Sequence, residues 1–133
     1  RKSGLLGLGG AADMRSLRSL GTPEADFAIR HFAYSATRHA GSLIAAMGGL
    51  DAVVFTGGIG ENDAETRAAI LDGLHWAGAA FDPEANHRHD LCLHKSGSPV
   101  AIWRVAAEEE RHQQQCATTP SQRSAPTFHG CAF

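Results

Sequence analysis

Three glycines, Gly57, Gly58 and Gly60, stand between a β-branched and aromatic run (Val53, Val54, Phe55, Thr56) and two residues able to cap a helix, Asn62 and Asp63. The run reads as a strand buried on both faces. Asn62 or Asp63 can accept hydrogen bonds from the free N–H groups that open a helix, and Glu65 falls in its first turn. Strand, glycine turn and helix N-terminus in that order suit a ligand carrying phosphate or ribose. Glycine lets the backbone approach closely, and the helix end offers donors with partial positive charge. The same turn also serves a chain that merely has to reverse. Glu61 and Asp63 disfavour bare phosphate and favour a hydroxyl-bearing or metal-bridged partner. No Gly-Lys-Ser/Thr follows, so this is not a P-loop, and the spacing is not the G-x-G-x-x-G dinucleotide fingerprint.

Elsewhere, His87, His89, Asp90 and His94 invite a metal reading. Their spacing has no second cluster to complete a ligand set, and a solvent-exposed loop explains them better. Glu108-Glu109-Glu110 is either a solvated acidic face at a helix start, which the macrodipole favours, or a carboxylate source for a hard cation. No Ser-His-Asp or Cys-His nucleophile arrangement emerges.

The elements that position these residues follow from the periodicity. Residues 1–12, rich in Gly and Leu, read as a loop or the tail of an upstream element. Thr22-Pro23 is a helix start, with a hydroxyl cap and a proline where its missing N–H costs nothing. Ile29, Phe32, Ala36, Ala40, Leu43 and Met47 recur at helical spacing up to Gly48-Gly49, which predicts a helix over 23–48. A strand at 51–56 and a helix at 62–77 come next, the latter burying Ile70, Leu74 and Ala77. Asp82-Pro83 signals a turn, Leu91–Leu93 a short strand, Pro99–Val105 a strand, and Ala106–Gln115 a helix. The order is that of an α/β fold, with the glycine turn at a strand's C-terminal end, where open sheets place ligands. From Cys116 to Phe133 the chain is rich in Thr, Pro, Ser and Gly with no period, and disorder is expected there.

Composition narrows the class further. The 133 residues suffice for one domain with a core. Hydrophobic residues at 43% and charged residues at 20% describe a globular chain. No apolar run approaches the roughly 20 residues that span a bilayer. A net charge of -2, with 12 Lys and Arg scattered among 14 acids, gives no nucleic-acid footprint. Cys92, Cys116 and Cys131 lack C-x-x-C spacing and fit reduced thiols in a cytoplasm.

Phe55-Thr56-Gly57-Gly58-Ile59-Gly60-Glu61-Asn62 resembles the adenosine-binding loop of the acetate kinase family. Ser3-Gly4-Leu5-Leu6-Gly7 with Asp13-Met14-Arg15 resembles its nucleotide-contacting segment. Ala45-Ala46-Met47-Gly48-Gly49-Leu50-Asp51 resembles the helix end before the strand, and Glu109, or Glu110 in the alternative register, its magnesium-linked glutamate. The family reads Pro-Thr-Asn ahead of that glutamate, where this chain has Ala106-Ala107-Glu108. The resemblance implies that 1–115 is part of a C-terminal nucleotide-binding domain of ribonuclease-H-like fold, shared with actin, Hsp70 and sugar kinases, with helices on a mixed sheet. Residues 116–133 form a divergent tail.

The family's reaction is reversible transfer of the ATP γ-phosphoryl group to acetate, giving acetyl phosphate and ADP. By resemblance Asp13, Met14, Arg15, Gly58, Ile59, Gly60, Glu61 and Asn62 hold ATP or ADP, and Glu109 is linked to Mg2+. Arg15 lies along adenine or ribose, Asp13 accepts from a ribose hydroxyl or orients Arg15, and Ile59 touches the base. Capping is the alternative role for Asn62. The family's catalytic residues and carboxylate pocket lie in sequence ahead of Arg1, so the chain is expected to be an inactive C-terminal third. The family is homodimeric through this half, with Ala33, Ala36, Ala40 and Ala45 permitting close packing. A propionate kinase fragment, or a stand-alone nucleotide-binding or dimerisation module, are the alternatives.

Overall fold

The computed structural model describes residues 4–107 and 130–132. Its elements are α1 (Gly4–Gly9), α2 (Met14–Leu20), α3 (Pro23–Met47), β1 (Ala52–Phe55), α4 (Gly57–Asn62), α5 (Ala64–Gly73), a 3₁₀ turn (His75–Ala77), α6 (Pro83–His87), β2 (Ala101–Arg104) and β3 (Gly130–Ala132).

The long helix α3 begins where its signals predict. The Thr22 hydroxyl accepts from the Ala25 N–H, Pro23 occupies the first turn, and Gly48 closes the helix at φ 77. Only glycine adopts that left-handed geometry without strain. Its buried stripe differs from the expected one. Ala25, Ala28, Ala33, Ala40 and Ile44 face inward, while Leu43 is exposed. The alanines allow close approach: Thr37 of α3 packs where a Cβ on Gly73 of α5 would sit, 2.5 Å from the Thr37 methyl.

β1 is the centre of a three-stranded sheet in the order β2-β1-β3, and both pairings are parallel. The expected mixed sheet is corrected to a parallel one among the described strands. Antiparallel pairing is confined to two isolated bridges, Phe81–His94 and Cys92–Trp103. The second of these is all that remains of the strand expected at Leu91–Leu93. Ala52, Val53 and Phe55 are buried, as a strand covered on both faces requires. They join Ile44, Ile70, Leu71, Leu74, Leu93, Val100 and Ile102 in one core, and a smaller cluster of Met14, Leu17, Ala25 and Ala28 ties α2 to α3.

Other expectations are corrected. Of the two readings of the first residues, the loop is corrected: Gly4–Gly9 is a helix, and Gly9, buried against Leu17 and Ala28, docks it on its neighbours. The glycine run at 57–62 is itself a short helix. The helix expected over 62–77 stops at Gly73 and continues as a 3₁₀ turn. Asp82-Pro83 starts α6, the Asp82 carboxylate accepting from the Glu84 and Ala85 N–H groups. Of the segment expected to be disordered, Gly130–Ala132 pairs with Ala52–Val54 as β3. The helix expected over Ala106–Gln115 does not begin at Ala106 or Ala107, which are not helical, and its remainder, with the glutamates at 108–110, lies outside the described residues.

Candidate functional site

β1 ends at Phe55 and the chain turns at once into α4. Gly57 sits at φ 72, a conformation a side chain would strain, and its N–H donates to Glu61 Oε1 at 2.9 Å. The same oxygen accepts from the Ala107 N–H at 2.9 Å, so Glu61 fastens α4 to the chain leaving β2. Asp63 then caps α5, accepting from the Thr66 N–H at 3.0 Å. Asn62 does not cap: its amide donates back to the Gly58 carbonyl at 3.0 Å.

Arg67 of α5 is 1% exposed and secures the far end of α4. Nη1 donates to the Gly60 and Glu61 carbonyls at 2.9 and 3.0 Å. Nε and Nη2 donate to Asn86 Oδ1 and the Asn86 carbonyl at 2.7 and 2.8 Å, and Asn86 in turn donates to Ala64 O. Burial, aided by the Arg104 charge, pushes the Arg67 guanidinium below the usual arginine range. Its neutral acceptors leave the burial cost partly uncompensated, though Asp63 pulls the other way.

Beside α4 lies an open cleft of about 820 Å³. Six of the eight residues assigned to the nucleotide by resemblance meet on it: Asp13, Met14, Arg15, Gly58, Ile59 and Asn62. Met14 is buried and gives it an apolar wall, and Ile59, half-buried, packs against the same cluster. Gly60 and Glu61 do not line this cleft. Gly60 is buried and lines a smaller apolar pocket of about 390 Å³ behind α4, with Phe32, Phe55 and Ile70. Glu61 turns its carboxylate to the backbone, as described. Glu109 lies outside the described residues.

Asp13 is the N-cap of α2, taking the Ser16 N–H at 2.9 Å and the Ser16 hydroxyl at 2.7 Å. Those two bonds hold its carboxyl below the usual carboxylate range. One carboxylate can both cap and accept from a ligand, since it has lone pairs to spare. Across the cleft, Arg18 binds Asp63 at 2.9 Å and reaches Glu65 and the Thr66 hydroxyl. Burial pushes Asp63 up, yet the Thr66 N–H and Arg18 outweigh it and hold the group below its ordinary value. All three carboxylates on the cleft are therefore engaged by protein donors. Among the described residues no three His, Cys, Asp or Glu side chains come together to hold an ion.

Sequence reasoning passed over Arg18 and gave His87 and His89 no part in a ligand site, yet all three line the cleft. His87 and His89 belong to the segment read as an exposed loop. No local pattern marks them, because Arg67 and Asn86 bring that segment to α4 from a distance in sequence.

The acetokinase family model matches residues 1–114. The chain is 43% identical over 111 residues to an acetate kinase of Nitrobacter hamburgensis, covering 83% of this chain and 28% of that one. It is 40% identical over 124 residues to an acetate kinase of Rhizobium meliloti, covering 90% and 32%. Among solved structures, an acetate kinase of Porphyromonas gingivalis superposes with a TM-score of 0.74 at 33% identity, over 80% of this chain and 28% of that one. A propionate kinase of Francisella tularensis superposes with a TM-score of 0.72 at 35% identity, over the same shares. The chain thus spans about a third or less of the length of the relatives it matches. No helix among the described residues is long and apolar enough to cross a membrane. With the family model over most of its length and relatives of this identity, the chain belongs to the acetokinase family.

Proposed function

We propose that the chain supplies the nucleotide side of an acetate kinase, which transfers the ATP γ-phosphoryl group reversibly to acetate. The observation that carries this reading is the convergence of Asp13, Met14, Arg15, Gly58, Ile59 and Asn62 on one cleft from two helices far apart in sequence. Met14 and Ile59 suit the faces of a purine. Arg15, exposed and planar, suits stacking on the base or lying along the ribose, and Asp13 suits a ribose hydroxyl. Gly60 and Glu61 act on the ligand only through the shape of α4.

Phosphoryl transfer asks a protein for positioning and for positive charge around the equatorial oxygens. Arg18 is committed to Asp63 and Glu65, so the described residues serve binding rather than the transferring group. The carboxylate pocket and the charges on the γ-phosphoryl group belong, in this reading, to the remaining two thirds of the protein. Magnesium supplies charge neutralisation on the nucleotide phosphates. The engaged carboxylates of the cleft do not fit a resident ion, which leaves Glu109 as its protein partner by family resemblance. A ribonuclease-H-like domain, a homodimer and a cytoplasmic location complete the reading. The superposition on a propionate kinase supports a propionate kinase as the alternative reading.

Calorimetric titration of the chain with Mg-ADP tests the reading, beside an Arg15→Ala, Gly58→Val double variant. A Cβ on Gly58 meets nothing within 4 Å, so a side chain there fits the fold and intrudes on the ligand space. Binding by the parent and none by the double variant is expected. A parent that is folded by circular dichroism and does not bind would overturn the reading for this chain.

A further inference from the structure

We propose that His89 is a hydrogen-bond donor to the nucleoside part of the ligand, held ready by Arg67 in a single tautomer. The inference rests on reading the cleft as a nucleotide site. His89 lines that cleft and is half-buried. Its Nδ1 lies 3.1 Å from Arg67 Nη2 and 3.1 Å from the Glu61 carbonyl. These neighbours make opposite demands, since a guanidinium can only donate and a carbonyl can only accept. The Glu61 carbonyl already takes Arg67 Nη1 at 3.0 Å, so it does not need the imidazole. A proton on Nδ1 would point partly at a buried cation, whereas a lone pair there completes the Arg67 network. Nδ1 is therefore the acceptor, and the ring proton sits on Nε2.

Nε2 is the ring nitrogen turned away from that network, and among the described residues it has no hydrogen-bond partner. A donor fixed in direction and without a protein acceptor, on the wall of a binding cleft, matches an uncharged acceptor such as a purine ring nitrogen or a ribose oxygen. The backbone adds a second observation. His89 is the one described non-glycine residue at positive φ, 58°. Such a conformation at a cleft, kept although a side chain disfavours it, aims the ring at the cost of strain. Arg88 and Asp90 pair at 2.7 Å on either side, and the Asp90 carbonyl receives Arg104, so the segment is pinned at both flanks.

The test uses the 133-residue chain and a His89→Asn variant. Asparagine tolerates positive φ and is too short to reach where Nε2 stands. Nitrogen-detected NMR of the free parent is expected to show His89 with bare Nδ1 and protonated Nε2, and Mg-ADP is expected to move the Nε2 resonance. His94, whose Nδ1 accepts from the Ile102 N–H at 3.0 Å away from the cleft, is the internal control and stays put. Calorimetry is expected to show Mg-ADP binding weakened about three- to tenfold in His89→Asn, the loss of one neutral hydrogen bond. Binding of ADP by the parent with equal affinity in the variant overturns this inference and spares the nucleotide reading. A proton on Nδ1, or an Nε2 unmoved by bound ADP, overturns it as well. A folded parent that does not bind ADP overturns both.

Discussion

The Arg18 guanidinium grips the Asp63 carboxylate at 2.9 Å, joining the second turn of α2 to the cap of α5 across the cleft. The pair thus clamps two cleft-lining elements together, and the same Asp63 oxygen that takes Arg18 also starts α5. Opening this pair should loosen both walls together. Arg18→Ala is expected to cost about 1–2 kcal/mol in urea unfolding, since Asp63 is left half-buried without its cation. It is also expected to weaken Mg-ADP binding, which Arg18→Lys restores only in part because an ammonium cannot match the fork. Unchanged stability in Arg18→Ala would refute the clamp.

Asp63 also gives the chain an acid-sensitive joint. Its carboxyl is lowered in the folded chain from an ordinary value of 3.8. A depressed folded value means that the group's contribution is complete above about pH 5 and is lost as pH falls through and below 3.8. Asp63→Asn is expected to unfold at lower denaturant than the parent at pH 6, with the gap closing toward pH 3. A gap that stays constant over that range would show that the charge does not matter.

Arg67 carries more. Removing it leaves the Gly60, Glu61 and Asn86 carbonyls buried without donors. Arg67→Met, similar in volume but without donors, is expected to cost about 3 kcal/mol or more, enough to threaten folding of a chain this size. Chemical denaturation followed by circular dichroism reads this directly.

Gly73 marks the closest approach of α3 and α5. Gly73→Ala would normally favour a helix, yet its Cβ would lie 2.5 Å from the Thr37 methyl and 3.0 Å from its hydroxyl. A net loss of about 1–3 kcal/mol is expected. Pairing it with Thr37→Ser, which deletes that methyl, should recover part of the loss, and a double variant no better than the single one would count against the contact.

Local chemistry explains which parts of this architecture could be read from the sequence. Thr22, Pro23 and Gly48 act through their own backbone neighbours, so α3 was visible at both ends. β1 and β2 announce themselves by composition. The glycine segment was misread because three glycines have no helical preference of their own. Contacts far along the chain make it a helix: the Glu61 carboxylate on Ala107 and the Arg67 fork on its last carbonyls. Gly60 and Glu61 were assigned to the ligand by family resemblance alone; the turn of the helix places Gly60 on the pocket behind α4 and the Glu61 carboxylate on the Gly57 and Ala107 N–H groups. Leu43 likewise fitted a helical period, but small alanines took the inner face because α5 comes so close. His89 had no period, and its direction comes from an arginine on another helix. The pairing of Gly130–Ala132 with β1 depends on register across the sheet, which residues 116–133 do not signal by themselves.

The place of β1 between β2 and β3 has a consequence for the ribosome. Ala52–Phe55 is made before either of its neighbours, and the Ala52–Gly130 pair has to wait for a residue made well after Ala101–Arg104. Throughout that interval the most buried strand of the sheet leaves the exit tunnel with open edges, the state in which nascent chains stick to one another. Slow translation between these segments should therefore cost soluble yield even where the finished chain is unchanged.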